Sequence, residues 1–74
     1  MKLGKYQHYK GNFYEVLGVA KHTETMEDFV VYKQLYDGSE FPIGSIWARP
    51  KEMFFGQVEV NGQKKSRFKF IDGS

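Results

Sequence analysis

The sequence contains no cysteine, so disulfides and thiolate metal sites are excluded and packing alone must hold the chain together. No apolar run approaches the length that crosses a bilayer, and the first residues lack the apolar stretch and small-residue cleavage site of a secretory leader. A cytoplasmic setting without membrane contact is therefore expected. Net charge is scarce as well, and a formal +2 does not by itself announce a nucleic-acid partner. There is no Gly-rich phosphate loop and no HExxH or HxxxH spacing, and Ser39, Ser45, Ser66 and Ser74 stand in no elbow or triad-like context. No catalytic residue, metal site or cofactor is expected. An enzyme using His8 or His22 with Glu24 as acid–base groups is the weakest of the readings these residues leave open.

What the chain has in quantity is aromatic surface: seven Phe, five Tyr and one Trp in 74 residues. Each ring, once buried, contributes roughly 1.5–3 kcal/mol, which matters near the size at which one core barely suffices. Residues 1–74 are read as a single small β domain. Its charge is unevenly spread, with Lys2, Lys5 and Lys10 near the start, Lys64, Lys65, Arg67 and Lys69 near the end, and most carboxylates between. Terminal strands lying side by side would make one edge basic, although solvated lysines on an edge strand also serve simply to block aggregation.

Leu3 to Lys10 reads as a first strand, turned by Gly11-Asn12. Phe13 to Ala20 has apolar residues at both parities and is expected to be the central strand, covered on both faces, with Gly18 at a bulge. His22 to Asp28 reads as a loop, Phe29 to Tyr36 as the next strand, and Ser45 to Arg49 as a short one. Pro50, with fixed φ and no N–H, pushes Arg49 into extended backbone and suits the first position of a helical turn through Met53. Near the end, Asn61-Gly62 favours a two-residue type I′ turn, but that register pairs Val58 with Lys65 and sets Val58 and Val60 opposite to Phe68 and Phe70. Core patterning instead predicts a three-residue loop or a bulge. The whole predicts an all-β fold with a minor helical turn: a small, strongly bent antiparallel sheet, or an SH3-like barrel, of five to six strands. An open meander with a minor helix is the alternative.

Trp47 and Arg49 share a strand parity. Projected outward, an indole and a guanidinium would stack a base or clamp an anion; turned inward, Trp47 is core with Arg49 lying over it, the commoner fate of a large aromatic. Tyr6, Tyr9, Tyr14, Tyr32 and Tyr36 beside lysines suggest the aromatic-basic surface of single-strand-binding barrels, while half-buried tyrosines with hydroxyls outward are the ordinary reading. The candidate ligand-binding residues are His8, Tyr9, His22, Glu24, Tyr32, Trp47 and Arg49. Two functions are weighed: a non-catalytic binding module for nucleic acid or a nucleotide-like anion, and a protein-interaction module receiving a peptide or a second copy in an aromatic groove or on a sheet edge.

Gly4-x-Tyr6-x-His8-Tyr9-Lys10-Gly11, then Tyr14 to Gly18 with Ala20 and His22 to Thr25, Val30-Val31-Tyr32-x-x-Leu35-Tyr36, and Trp47-Ala48-Arg49-Pro50-x-x-Met53-Phe54 together resemble a bacterial family, the domain of unknown function 1653. The resemblance runs from Gly4 to about Phe70. It departs in Ala48, where family members usually carry Val, and in a longer loop from Asp37 to Gly44; neither touches a polar motif residue. The family implies a small module without an established activity. Its motif includes His8, His22, Glu24 and Arg49, polar residues that a β-sheet does not require.

Overall fold

The computed structural model describes residues 1–73. The chain first reverses at Gly11-Asn12, where the N–H groups of His8 and Gly11 donate to the carbonyls of Asn12 and His8 at 2.8 Å each. This joins β1 (Gly4–His8) to β2 (Phe13–Lys21) as an antiparallel pair. Beyond the loop, β3 (Asp28–Gln34) returns along β2, and the register slips between Val16 and Gly18, the bulge that a mid-strand glycine signals. β4 (Ile46–Pro50) pairs with β3. The helical turn α1 (Lys51–Phe54) follows, with Pro50 as its cap at the end of β4 rather than as its first residue. A ribbon of β5 (Gln57–Val60) and β6 (Gln63–Ser66) comes next, and β7 (Phe68–Asp72) closes the order β4-β3-β2-β1-β7 by pairing with β1. β2 is central, as expected, and among the described residues there are seven strands in two sheets where the sequence reading had five or six.

The five-stranded sheet is bent but not closed into a barrel: its edges β4 and β7 are not hydrogen-bonded to each other. Side chains fill the gap instead. Tyr6, Val16, Val30, Tyr32, Phe54 and Phe68 form the core, with Tyr14, Trp47 and Phe70 packed against it. Phe68 lies 5.5 Å from Tyr32 across the concavity and stacks on Phe54 at 4.1 Å. Only this concave side is well covered. Leu17 remains 43% exposed, and even Val19, opposite the buried Val30, is 45% exposed, so the expectation that β2 is covered on both faces is corrected. Its mixed pattern reflects the bulge, which changes the facing of residues after Val16, and not a second apolar layer.

The last hairpin also corrects the sequence reading. Val58 pairs with Lys65 and Val60 with Gln63, with Asn61 at φ 52° and Gly62 at φ 78°, the two-residue turn that Asn-Gly favours. The conflict with the core pattern disappears because Lys64 to Phe70 is not one strand. At Arg67 the chain leaves the ribbon: its N–H donates to Gly56 O, its carbonyl accepts from Tyr9 N, and β7 restarts on β1 with its own parity. Facing is conserved only along an unbroken strand.

Gly4 is the position where glycine is required. Its φ is +127°, and an added Cβ would sit 2.4 Å from the Asp72 carbonyl oxygen and 2.7 Å from Gly73 Cα. Gly4→Ala is therefore expected to lose about 2–4 kcal/mol, read as a lowered urea midpoint, because β1 and β7 must separate or bend. Gly18→Ala, which meets nothing within 4 Å, should stay within about 0.5 kcal/mol. Equal losses at both positions would contradict the steric argument.

Candidate ligand-binding site

His8 ends β1 opposite Phe68 on β7. Its ring lies 4.9 Å from Phe68, 4.5 Å from Tyr9 and 6.3 Å from Tyr14. The Lys10 backbone N–H donates to His8 Nδ1 at 3.2 Å, so the neutral ring carries its proton on Nε2. Partial burial, followed by the charges of Arg49, Lys10 and Arg67, holds His8 below the ordinary imidazole value of 6.5. The unfolded chain therefore takes up this proton first. The neutral ring's contribution to stability is intact above about 6.5 and is lost as pH falls through the lower folded value. NMR titration of the His8 Cε1–H should give a midpoint below 6.5, and a midpoint above it would contradict the cationic surroundings.

Around His8 opens a groove of about 560 Å³ lined by Gln7, His8, Tyr9, Lys65, Ser66 and Lys69. Lys10 stands 5.9 Å from the Tyr9 ring. The pairing of Gln7 with Lys69 places the basic end of the chain beside its basic start. Among the described residues no carboxylate lines this groove.

On the other side of His8, Tyr14, Tyr32, Trp47 and Arg49 bound a pocket of about 150 Å³. Trp47 faces inward against the core, and the alternate residues of β4, Ile46 and Ala48, face out. The inward reading of Trp47 thus holds. Its indole N–H donates to Gln34 Oε1 at 3.1 Å, and Gln34 Nε2 donates to the carbonyls of Tyr36 and Phe41, anchoring the loop before β4. Arg49 Nε donates to Tyr32 Oη at 3.3 Å, and its guanidinium carbon lies 5.9 Å from the Phe68 ring centre. The Tyr14 and Tyr36 hydroxyls are bonded at 2.8 Å. Burial first, then that bond, pushes the Tyr14 phenol well above its ordinary value, so it remains a neutral hydroxyl. Tyr14 and Trp47 also line an adjoining hollow of about 260 Å³ with Gln34, Tyr36 and Phe41.

Five of the seven sequence candidates are thus drawn to two neighbouring hollows, His8 and Tyr9 in the groove and Tyr32, Trp47 and Arg49 in the pocket. His22 and Glu24 are not. They lie in the loop beyond the far end of β2, where His22 Nδ1 accepts from the N–H groups of Glu24 and Thr25 at 3.2 and 3.3 Å and the ring packs 5.8 Å from Phe29. That is the work of a loop organiser. Glu15 is bonded to Lys33 at 3.3 Å, away from either histidine, and among the described residues no three His, Asp or Glu side chains gather to hold a metal. Tyr14 lines the pocket and Lys65 and Lys69 line the groove, although none of them was among the seven candidates. The clustering of lysines at both chain ends was the available signal for the last two, and it needed the β1–β7 pairing to become a surface.

Comparison with known proteins agrees with this architecture. A solved structure of a protein belonging to the DUF1653 family from Bordetella bronchiseptica is similar over 100% of this chain and 91% of its own, with 31% sequence identity and a TM-score of 0.85. No curated protein matches the sequence significantly. The model of a family described as protein of unknown function, DUF1653, matches residues 4–70, which run from the start of β1 into β7, and the chain belongs to that family.

Proposed function

We propose that this protein is a non-catalytic binding module for single-stranded nucleic acid or a nucleotide-like anion, held in the groove between the end of β1 and the β6–β7 segment. One observation carries the reading: Lys65 and Lys69 meet His8 and the 37% exposed Tyr9 in a groove that, among the described residues, no carboxylate lines. Lysines neutralise phosphates, and an exposed phenol offers a stacking face that accepts any base. His8 adds a proton-linked donor, because a bound phosphate raises the affinity of its ring for a proton, so binding tightens as pH falls.

The test is fluorescence anisotropy of short labelled single-stranded DNA and RNA at several salt concentrations. With about three phosphate contacts, log K should fall against log salt with a slope of about −2. Lys65→Glu with Lys69→Glu should abolish binding, and Tyr9→Ala should weaken it about tenfold. Absence of binding at low salt, or an affinity indifferent to salt, refutes the proposal.

A second reading, self-association or peptide binding on a sheet edge, is favoured by a different observation. β4 is an edge strand whose outward Ile46 is 57% exposed. It requires a mass that rises with concentration in light scattering and a return to the single-chain mass in Ile46→Lys.

A further inference from the structure

Arg49 occupies an unusual position for a cation. It is half-buried and faces the aromatic concavity, yet both ion pairs among the described residues lie elsewhere, Lys21 with Asp28 and Lys33 with Glu15. Among the described residues its side chain makes one hydrogen bond, the Nε donation to Tyr32 Oη, and none from its Nη groups. A partly desolvated guanidinium is ordinarily paired, because water taken from it must be replaced. The guanidinium carbon lies 5.9 Å from the Phe68 ring centre, and Arg49 lines the pocket.

The remaining walls match an anion. Tyr32 Oη accepts from Arg49, which leaves its own proton to donate. Tyr14 stays a neutral hydroxyl. Among the described residues no carboxylate lines the pocket, whose volume is about 150 Å³. We propose that the pocket bounded by Tyr14, Tyr32, Trp47 and Arg49 is a receptor for a single oxyanion, a carboxylate or a phosphate monoester carried on a small organic group. The Arg49 fork binds two oxygens of that group in its plane, Tyr32 donates to one of them, and the Trp47 and Tyr14 rings enclose the organic part. The site is independent of the basic groove, which lies on the other side of His8.

Trp47 is the only tryptophan, so its fluorescence reports this pocket directly. The experiment titrates the protein with methyl phosphate and with propionate, and repeats both titrations on Arg49→Gln, Arg49→Lys and the Lys65→Glu/Lys69→Glu double variant, with circular dichroism monitoring the fold. The expected result is a saturable change with at least one probe below about 10 mM. It weakens about tenfold or more in Arg49→Gln and is kept in the double variant. Arg49→Lys preserves charge without the planar fork and should also lose about tenfold, which decides the matter if Arg49→Gln does not fold. The tighter probe identifies the group as carboxylate or phosphate. A flat titration of the folded protein with both probes, or a response that follows Lys65 and Lys69 rather than Arg49, overturns the proposal. Oligonucleotides that fail to bind would remove the groove reading and leave this result standing.

Discussion

Phe54→Ala is expected to leave the protein largely unfolded at room temperature, or to lower its melting temperature by tens of degrees. Phe54 is fully buried and is the one buried side chain of α1. It stacks on Phe68 at 4.1 Å with the rings 6° from parallel, and meets the edges or faces of Tyr6 and Tyr32 at 5.4 Å each. Those three partners come from β7, β1 and β3, so one ring ties β3 to the hydrogen-bonded β1–β7 pair across the concavity. Truncating a buried Phe costs about 3–5 kcal/mol, while the whole stability of a chain this small is on the order of 5 kcal/mol. Phe55→Ala provides the contrast. That ring is 46% exposed, and its loss should cost less than about 1.5 kcal/mol. Thermal melts of the two variants decide the matter, and similar midpoints would mean that α1 does not plug the open side of the sheet.

Gln34→Leu should cost about 2–4 kcal/mol although it replaces a polar side chain by an apolar one in an interior position. Gln34 is 2% exposed and its amide is fully used: Nε2 donates to Tyr36 O at 3.0 Å and Phe41 O at 2.8 Å, and Oε1 accepts from the Trp47 indole. Leucine leaves the indole N–H without its acceptor and frees the loop that holds Phe41 against Trp47, whose rings are 4.8 Å apart. The loss should appear as a lower urea midpoint together with a red-shifted Trp47 emission in the native baseline. Gln34→Glu sharpens the test. A buried carboxyl has its folded pKa raised above the unfolded value of about 4.3, so this variant should be most stable at acid pH and lose stability as pH rises through the folded pKa. A neutral effect of Gln34→Leu with unchanged Trp47 emission would show that the loop is held by apolar packing alone.

Both predictions rest on residues whose importance was only partly legible in the sequence. Phe54 belonged to a visible aromatic pair, but its neighbour Phe55 looks equivalent until α1 turns one ring inward and the other out. Gln34 carried no signal at all, since a glutamine in a strand is ordinarily a surface residue. At the candidate site, the shared parity of Trp47 and Arg49 was readable from spacing alone, whereas the face they share was not. Either face satisfied the local pattern of β4, and the choice fell to the core, which takes the larger ring. His8 and Arg49 are 41 positions apart, and only the curl of the sheet, which brings Phe68 of β7 beneath Arg49 of β4, makes them neighbours.

Features governed by short-range sterics were in the sequence by itself: the turns at Gly11-Asn12 and Asn61-Gly62, the bulge at Gly18, the corner at Pro50 and the aromatic, cysteine-free core. Backbone dihedral preferences act over a few residues, so each of these needs only its neighbours to be specified. Tertiary structure alone decided which face of β2 stays open, where the last strand breaks and which cations share a surface. Those outcomes depend on the break at Arg67, which lets β7 leave the ribbon and join β1. That exchange of partners brings Lys65 and Lys69 beside His8 and Phe68 beneath Arg49, because strand pairing acts between residues at any separation and is chosen by the burial that the whole sheet achieves.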